Sequence, residues 1–156
     1  MASSGARRVE VPDEIVAPAD LPRSGYASAY EVPIGARKFL TPEQWARATF
    51  EGAPALLRAF LATAWRYGLG LRLGPLTSPE HVSGWLISSS GPGSITLEAR
   101  ARFMVAQNIV AVSDSTVVLV TLVQFTRRAG RAQWGLAAPV LNRVIPYLLG
   151  RAGSDL

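Results

Sequence analysis

The residues best suited to chemistry in this 156-residue chain are Arg143, Asn142 and Glu98. Arg143 lies in an otherwise apolar stretch, where a permanently charged guanidinium must reach water, pair with a carboxylate or contact a ligand. In the last case it would hold an enolate or carboxylate, as fixed positive groups do for developing oxyanions. Asn142 would orient a carbonyl, and Glu98 would act as a general base if buried. The simpler alternatives are a solvated Arg143 or an Arg143–Glu98 pair, a surface Asn142, and a cross-strand ion pair at Glu98.

Further residues could line a ligand site. Tyrosine and tryptophan offer a flat apolar body with a polar tip, and the candidates are Tyr30, Tyr67, Trp85, Trp134 and Tyr147. The alternative for each of them is an ordinary core position. Gln107, Thr121 and Gln124 are polar residues within apolar strands, so each needs a hydrogen-bond partner if buried. Backbone, water or a ligand would serve equally.

Missing residue types exclude several classes of catalyst. The chain has no cysteine, which removes disulfides, thiolate nucleophiles and zinc–thiolate sites. Its one histidine, His81, follows Pro79 and Glu80 and is expected to be solvated, so a multi-histidine metal site is excluded. No phosphate-binding glycine loop, dinucleotide fingerprint or nucleophile elbow occurs. We therefore expect neither a metal nor a cofactor.

The charge pattern limits the expected partners. The net charge is +5 and the isoelectric point about 10.4, but the closest basic cluster, Arg127, Arg128 and Arg131, falls in a predicted turn. Because nucleic-acid binders usually concentrate their basic residues on one face, we expect no nucleic-acid partner. The first 22 residues lack the apolar stretch of a signal peptide, and the apolar windows 104–125 and 135–149 contain polar residues. We expect a cytoplasmic protein without a membrane partner, and we leave open whether it forms a homodimer.

The first half of the chain predicts a strand followed by a helical hairpin. Residues 1–25 are expected to be a tail, unless the alternation of Val9 and Val11 marks an extra strand, and residues 26–34 read as a strand. Thr41-Pro42-Glu43-Gln44 has the form of a capping box with proline at the first helical position. A second helix should begin at Pro54 and end at Gly68 and Gly70. Its buried face is predicted from spacings of three and four: Leu56, Leu57, Phe60, Leu61, Ala64 and Trp65.

The second half predicts strands and then a helix. Residues 82–89, 94–105, 105–113 and 116–126 read as an antiparallel meander, with turns at 90–93 and 113–115 and with 116–125 central in the sheet. After a turn at 127–130, helical signals resume at Gln133 and are strongest over 139–152, where Pro139 suits the first turn and Pro146 should cause a kink. This helix is nearly apolar all round: Leu136, Val140, Leu141, Val144, Ile145, Leu148 and Leu149. We expect it to lie in the concavity of a curved sheet, leaving a cavity between helix and sheet.

Short matches along the chain carry a family resemblance. They are Val82-Ser83-Gly84-Trp85, Leu97-Glu98-Ala99, Thr121 within 118–125, Trp134 and the run 139–149. With this order of elements, residues 26–152 resemble the START-like, or SRPBCC, superfamily of helix-grip proteins, and within it a group of short bacterial members. The superfamily includes polyketide cyclases. Relatives often carry a histidine–arginine pair near the middle of the last helix, whereas this chain has Leu141 and Asn142 before Arg143.

The resemblance implies an α+β helix-grip domain over residues 26–152, with tails at 1–25 and 153–156. It implies a curved antiparallel sheet around a long C-terminal helix, and a cavity for a hydrophobic, polyketide-like molecule. The expected function is a cyclase or isomerase of bacterial secondary metabolism that works without cofactor. The alternative is a non-catalytic carrier or sensor of a hydrophobic ligand, because fold alone does not decide catalysis.

Overall fold

The computed structural model describes residues 6–10, 25–34, 40–75 and 77–154, and over these ranges the chain is α+β. The strands are β1 (Arg7–Val9), β2 (Gly25–Pro33), β3 (Thr77–Ser78), β4 (His81–Val82), β5 (Trp85–Ser90), β6 (Ser94–Arg100), β7 (Met104–Val112) and β8 (Thr116–Phe125). The helices are α1 (Pro42–Phe50), α2 (Ala55–Thr63), which continues into a π-helical turn (Ala64–Gly68), and α3 (Arg128–Ser154). The strands described form one open antiparallel sheet, in the order β1-β2-β8-β7-β6-β5-β4-β3. The expected α+β class with a C-terminal helix is confirmed.

Strand β1 lies at one edge of the sheet and comes from the segment that the sequence predicts as a tail. Arg7 stands opposite Glu31 of β2, and its Nε donates to Glu31 Oε1 at 2.9 Å. Opposite charges in facing positions stabilise a strand pair. Residues 7–9 therefore belong to the sheet, while Val11 lies outside the described residues.

Helix α1 begins at the predicted capping box. Thr41 Oγ1 accepts from the Gln44 backbone N–H at 3.1 Å, and Gln44 Oε1 accepts from the Thr41 N–H at 2.9 Å. Pro42 occupies the first turn, where its missing N–H costs nothing. Because these interactions lie within four residues, the sequence alone predicts this helix start correctly.

The sheet has an inner face, against which α1 and α3 pack, and an outer face. The inner face is predominantly apolar and includes Tyr30, Val32, Ile95, Leu97, Met104, Ala106, Val110, Val117, Leu119, Val123 and Phe125. Helix α1 contacts β6 and β7, whereas α3 contacts β2 and β8. The two helices also contact each other, so together they cover the middle of the sheet. A smaller cluster, Ala29, Ile109, Val120 and Leu122, is buried on the outer face.

Helix α3 is longer than the sequence predicts. It starts at Arg128 and continues through Pro139 and Pro146, so the predicted turn at 127–130 and the placement of Pro139 in a first turn are wrong. The Arg131 guanidinium lies 5.0 Å from the Phe125 ring, which holds the start of the helix against β8. The apolar residues expected to pack into the concavity of the sheet are not all buried, since Leu136 is 85% exposed and Val140 45%. No helix among the described residues is both long and apolar enough to cross a membrane.

Two predicted strands are interrupted by turns. Residues 82–89 are split by Ser83 and Gly84, whose positive φ angles of 49° and 92° make the two-residue hairpin turn between β4 and β5. The predicted strand 94–105 ends at Arg100, and residues 101–103 turn into β7. The alternation of apolar residues continues through this turn, so periodicity alone does not show it. The predicted turns at 90–93 and 113–115 are found.

Helix α2 buries fewer of its apolar side chains than their spacing along the sequence predicts. Leu56 is 86% exposed and Phe60 is 44% exposed, whereas Leu61 and Trp65 are buried. The predicted buried face is therefore correct at Leu61 and Trp65 and wrong at Leu56 and Phe60. Helix α2 makes no extensive contact with any strand of the described sheet, so its outward side chains have no surface to pack against.

We predict that Gly84→Ala lowers the free energy of unfolding by more than about 1 kcal/mol, because alanine disfavours positive φ. A Cβ at this position would also lie 2.8 Å from Cβ of Leu73. Gly93→Ala is the matched control in the next hairpin, where an added Cβ meets nothing within 4 Å. Urea denaturation of both variants measures the difference, and equal stabilities would contradict the proposed strain.

Candidate functional site

A row of polar side chains crosses the middle of the inner face. Ser28 of β2 pairs in register with Thr121 of β8, which pairs with Asn108 of β7. Successive residues of a strand point to opposite faces, so register places all three side chains on the face toward α3. Thr121 Oγ1 donates to Asn108 Oδ1 at 2.8 Å. The apolar sheet therefore carries a hydrogen-bonding strip below the last helix.

Two tyrosines of β2 attach α3 above this strip. Tyr26 Oη donates to Asn142 Oδ1 at 2.8 Å, and Tyr30 Oη donates to the Asn142 carbonyl oxygen at 3.4 Å. The Tyr26 ring also lies 5.1 Å from the Trp134 ring between centroids. Asn142 is thus held in place by the sheet, and its side-chain oxygen is already used.

The strip and α3 enclose a small space that we call the inner cavity. It is lined by Ser28, Tyr30, Trp65, Trp85, Asn108, Thr121, Trp134, Leu141, Asn142 and Ile145. Its volume for water-sized occupants is about 20 Å³, which is room for about one water molecule. Trp85 and Trp134 are at least nine-tenths buried, and neither indole N–H has a hydrogen-bond partner among the described residues. The inner cavity therefore combines neutral hydroxyl and amide groups with two unpaired donors.

A larger space, the outer cavity, lies between α1, α2 and the β4–β5 turn. It measures about 430 Å³ and is lined by Phe50, Glu51, Ala55, Arg58, Ala59, Leu61, Ala62, Trp65 and Ser83. Ligand sites of drug-sized molecules typically measure about 300–1,000 Å³ and are mostly apolar with a few polar groups. In size and in lining, the outer cavity fits that description and the inner cavity does not.

Trp65 lines both cavities and separates them. It lies in the π-helical turn, where the Leu69 N–H donates to the Ala64 carbonyl oxygen at 3.0 Å across five residues. Single π-helical turns within helices often occur at functional sites. The Trp65 ring meets Phe50 at 5.9 Å and Trp85 at 5.3 Å, both edge to face. A continuous series of aromatic rings therefore leads from the outer cavity to the inner one.

Arg47 fixes the α1 wall of the outer cavity. Its Nε donates to Glu43 at 2.9 Å, and Nη1 donates to Glu51 at 2.8 Å and to the His81 carbonyl oxygen at 3.1 Å. Its Nη2 donates to the carbonyl oxygens of Ser78 and Pro79. Since a guanidinium has five N–H groups, every donor of Arg47 is used. This side chain ties α1 to the β3–β4 hairpin and balances the charge of Glu51.

Of the eleven site candidates from the sequence, the structure brings five to the inner cavity: Tyr30, Trp85, Thr121, Trp134 and Asn142. Tyr67 and Tyr147 are 78% and 53% exposed and line neither cavity. Arg143 is exposed on α3, between residues whose side chains reach the interior. No hydrogen bond or ion pair joins it to Glu98 or to another described residue.

The remaining three candidates, Glu98, Gln107 and Gln124, lie on the outer face. Glu98 accepts from Arg100 Nε at 2.7 Å and from Gln107 Nε2 at 3.1 Å, so it is paired within the sheet. Gln124 is buried, and its Oε1 has no partner among the described residues. Strand parity explains these positions, because a shift of one residue moves a side chain to the opposite face.

Sequence reasoning missed Ser28, Asn108 and Trp65 in the inner cavity, and all of the outer cavity. The sequence of β7 does not separate Asn108 from Gln107, because Val105 and Ile109 flank Gln107 just as Ala106 and Val110 flank Asn108. Ser28 had a signal, since it lies between Tyr26 and Tyr30 on one side of β2. The outer cavity had no such signal, because its walls meet only in the folded chain.

His81, the one histidine of the chain, lies in the β3–β4 hairpin and outside both cavities. Its Nδ1 lies 3.1 Å from Ser78 Oγ. Within the ranges that the structure describes, no three histidine or acidic side chains gather in a way that could hold a metal ion.

Comparison with protein-family models, curated proteins and solved structures finds no match for this chain. The function is therefore inferred from the geometry of the two cavities.

We predict that ionisation of the Tyr30 phenol makes the free energy of unfolding depend on pH. Burial raises the pKa of Tyr30 above its ordinary value of 10.0, and nearby Tyr26 adds to this, while the charge and hydrogen bond of Arg8 oppose it. The folded chain then keeps the phenol proton more tightly than the unfolded chain, so the stabilisation is complete below pH 10 and is lost as the pH rises through the folded-state value.

Tyr30→Phe should therefore make the fall in the free energy of unfolding above pH 10 shallower. It should cost only about 0.5–1.5 kcal/mol at neutral pH, for the lost hydrogen bond. Urea denaturation between pH 8 and pH 11 measures this, with the exposed Tyr67→Phe as control. An alkaline slope identical to that of the unaltered protein would refute the assignment.

Proposed function

We propose that this protein binds a small, largely apolar molecule in the outer cavity and acts as a carrier or sensor. The observation that carries the proposal is a space of about 430 Å³ with six apolar side chains in its lining. These are Phe50, Ala55, Ala59, Leu61, Ala62 and Trp65. An apolar molecule that fills this space would gain from burial without disturbing the sheet. A polyketide-like compound is one ligand of this chemistry.

The architecture supports a ligand-binding role. The element order of strand, helical hairpin, antiparallel strands and long terminal helix is what a helix-grip protein requires, and we propose that the chain is a START-like domain on this ground. Helices α1 and α3 meet over the sheet, and the tryptophans between them leave unfilled space. Ligand cavities commonly form where helices cover a sheet imperfectly.

Binding is favoured over acid–base catalysis by the groups that line the cavities. The inner cavity contains hydroxyl, amide and indole groups, and its one titratable group, Tyr30, is a phenol with an ordinary pKa of 10.0 that burial raises further. In the outer cavity, the Glu51 carboxylate is paired with Arg47. Neither cavity holds the free acid and free base that a proton-transfer mechanism needs.

A second function, cyclisation or isomerisation, is favoured by one observation. Trp85 and Trp134 line the inner cavity together with Thr121, and their buried indole N–H groups have no partner among the described residues. Fixed neutral donors stabilise an oxyanion that develops on a bound carbonyl. If Trp65 moved aside, a ligand in the outer cavity would reach these donors and react through orientation and hydrogen bonding.

The first function predicts that filling the outer cavity weakens binding. Ala59 is exposed and lines the cavity, so Ala59→Phe should fill the space without damaging the core. Thr63→Phe adds the same ring to an exposed position of α2 that does not line the cavity. The probes are decanol and naphthalene-2-carboxamide, and the readout is the indole N–H resonance of each tryptophan during titration.

We expect the Trp65 resonance to shift and saturate, while that of Trp45, which lines neither cavity, stays in place. Ala59→Phe should weaken binding on the order of tenfold, equivalent to ~1.4 kcal/mol, and Thr63→Phe should not. Absence of saturable shifts with both probes, or equal binding to both variants, would contradict the proposal.

The second function predicts a chemical change in the ligand. After incubation with lysate from the producing cells, extraction and mass spectrometry should reveal a new compound of unchanged mass and different retention. Trp134→Phe replaces the indole by a smaller ring that has no N–H, so it should slow this conversion and, because it leaves a void in the core, also lower the free energy of unfolding. Recovery of every enriched compound unaltered would leave only the carrier or sensor function.

A further inference from the structure

We propose that the outer cavity selects an apolar monocarboxylate, with Arg58 as the group that binds the carboxylate. This inference rests on the proposed binding function and names the class of ligand. It follows from the two charged side chains that line the cavity. The acidic one, Glu51, already has a hydrogen-bonded partner, whereas the basic one, Arg58, has none among the described residues.

The acidic side chain of the outer cavity is already hydrogen-bonded. Glu51 Oε2 accepts from Arg47 Nη1 at 2.8 Å, and the same guanidinium bonds to Glu43. Arg47 also donates to three backbone carbonyl oxygens, which fix its position. One guanidinium is thus shared by two carboxylates, and Glu51 is held by a partner outside the cavity lining.

The basic side chain has no partner among the described residues. Arg58 lines the cavity and is exposed, and its guanidinium makes no hydrogen bond or ion pair within these ranges. Glu51 is the only acidic residue in the lining, and the segment 55–68 carries no acidic residue at all. Because all of its N–H groups are open, the planar guanidinium can bind the two oxygens of one carboxylate.

The rest of the cavity suits the apolar part of such a ligand. Ala55, Ala59 and Ala62 recur at spacings of four and three along α2, so their small side chains share one side of the helix and leave the space open. Phe50, Leu61 and Trp65 form the apolar remainder of the lining. A carboxylate at Arg58 would thus remain near water while its hydrocarbon or aromatic part extends toward Trp65.

The test compares matched pairs of ligands that differ in charge. Decanoate is paired with decanol, and naphthalene-2-carboxylate with naphthalene-2-carboxamide, in calorimetric titrations of the full chain at pH 7. Because Arg58 is exposed, we expect the carboxylates to bind only about two- to fivefold more tightly at low salt. This preference should vanish in about 1 M salt, where exposed charges are screened.

Arg58→Gln should bind both members of each pair with the affinity that the unaltered protein shows for the neutral one. Arg58→Lys, which keeps the charge but not the planar pair of donors, should retain part of the preference. Arg66→Gln is the control, because it removes an exposed arginine from the adjoining turn that does not line the cavity. It should keep the full preference.

The outcomes separate this inference from the function on which it rests. Equal binding of charged and neutral ligands, or an unchanged preference in Arg58→Gln, would overturn the role of Arg58 and leave the binding function standing. Failure of both members of both pairs to bind would overturn the binding function itself. Tighter binding of the neutral ligands would show that Glu51, and not Arg58, dominates the charge of the cavity.

Discussion

The covering of one sheet face by two separate helices is the constraint on which the rest of this structure depends. Helix α3 lies over β2 and β8, α1 lies over β6 and β7, and their junction must be filled by side chains from both sides. Four large indole rings, those of Trp45, Trp65, Trp85 and Trp134, are buried in the core that these helices cover. Rigid rings leave gaps that flexible aliphatic side chains would close, which explains why the inner cavity lies among three of them.

The two walls of the outer cavity are held with unequal strength. Helix α1 is fixed by the cap at Thr41 and by Arg47, which connects it to the β3–β4 hairpin. Over 55–63, α2 buries Leu61 and leaves Leu56 and Phe60 largely in water. Its attachment continues through Trp65 and through Arg151, whose Nη1 donates to the Gly52 carbonyl oxygen at 2.7 Å. A ligand between α1 and α2 would add apolar contact where α2 has least of its own, and would stabilise the fold by linkage.

The parts of the fold that the sequence predicts well are those fixed by neighbouring residues. The capping box at Thr41, the turn at 113–115 and the alternation of β6 depend on short-range geometry. Failures occur where tertiary context decides: Leu56 has helical spacing but no surface to pack against, and the alternation of β6 runs on through the turn at 101–103. For the site, the sequence predicts Gln107 and not Asn108, because both faces of β7 are apolar and only its pairing with β6 and β8 shows that Asn108 faces α3. The outer cavity joins α1, α2 and the β4–β5 turn, which no local pattern brings together.

The distribution of charge between the cavities follows from burial. An unpaired charge in the inner cavity would lose its hydration with nothing to replace it, so that space contains neutral hydroxyl, amide and indole groups. The raised pKa of Tyr30 reflects the same penalty, acting on the one group there that could ionise. Near the surface the penalty is smaller, and the Arg58 guanidinium remains charged without a partner among the residues that the structure describes. A ligand that spans the two environments must therefore be charged at its outer end and neutral at its inner end, with Trp65 marking the boundary between them.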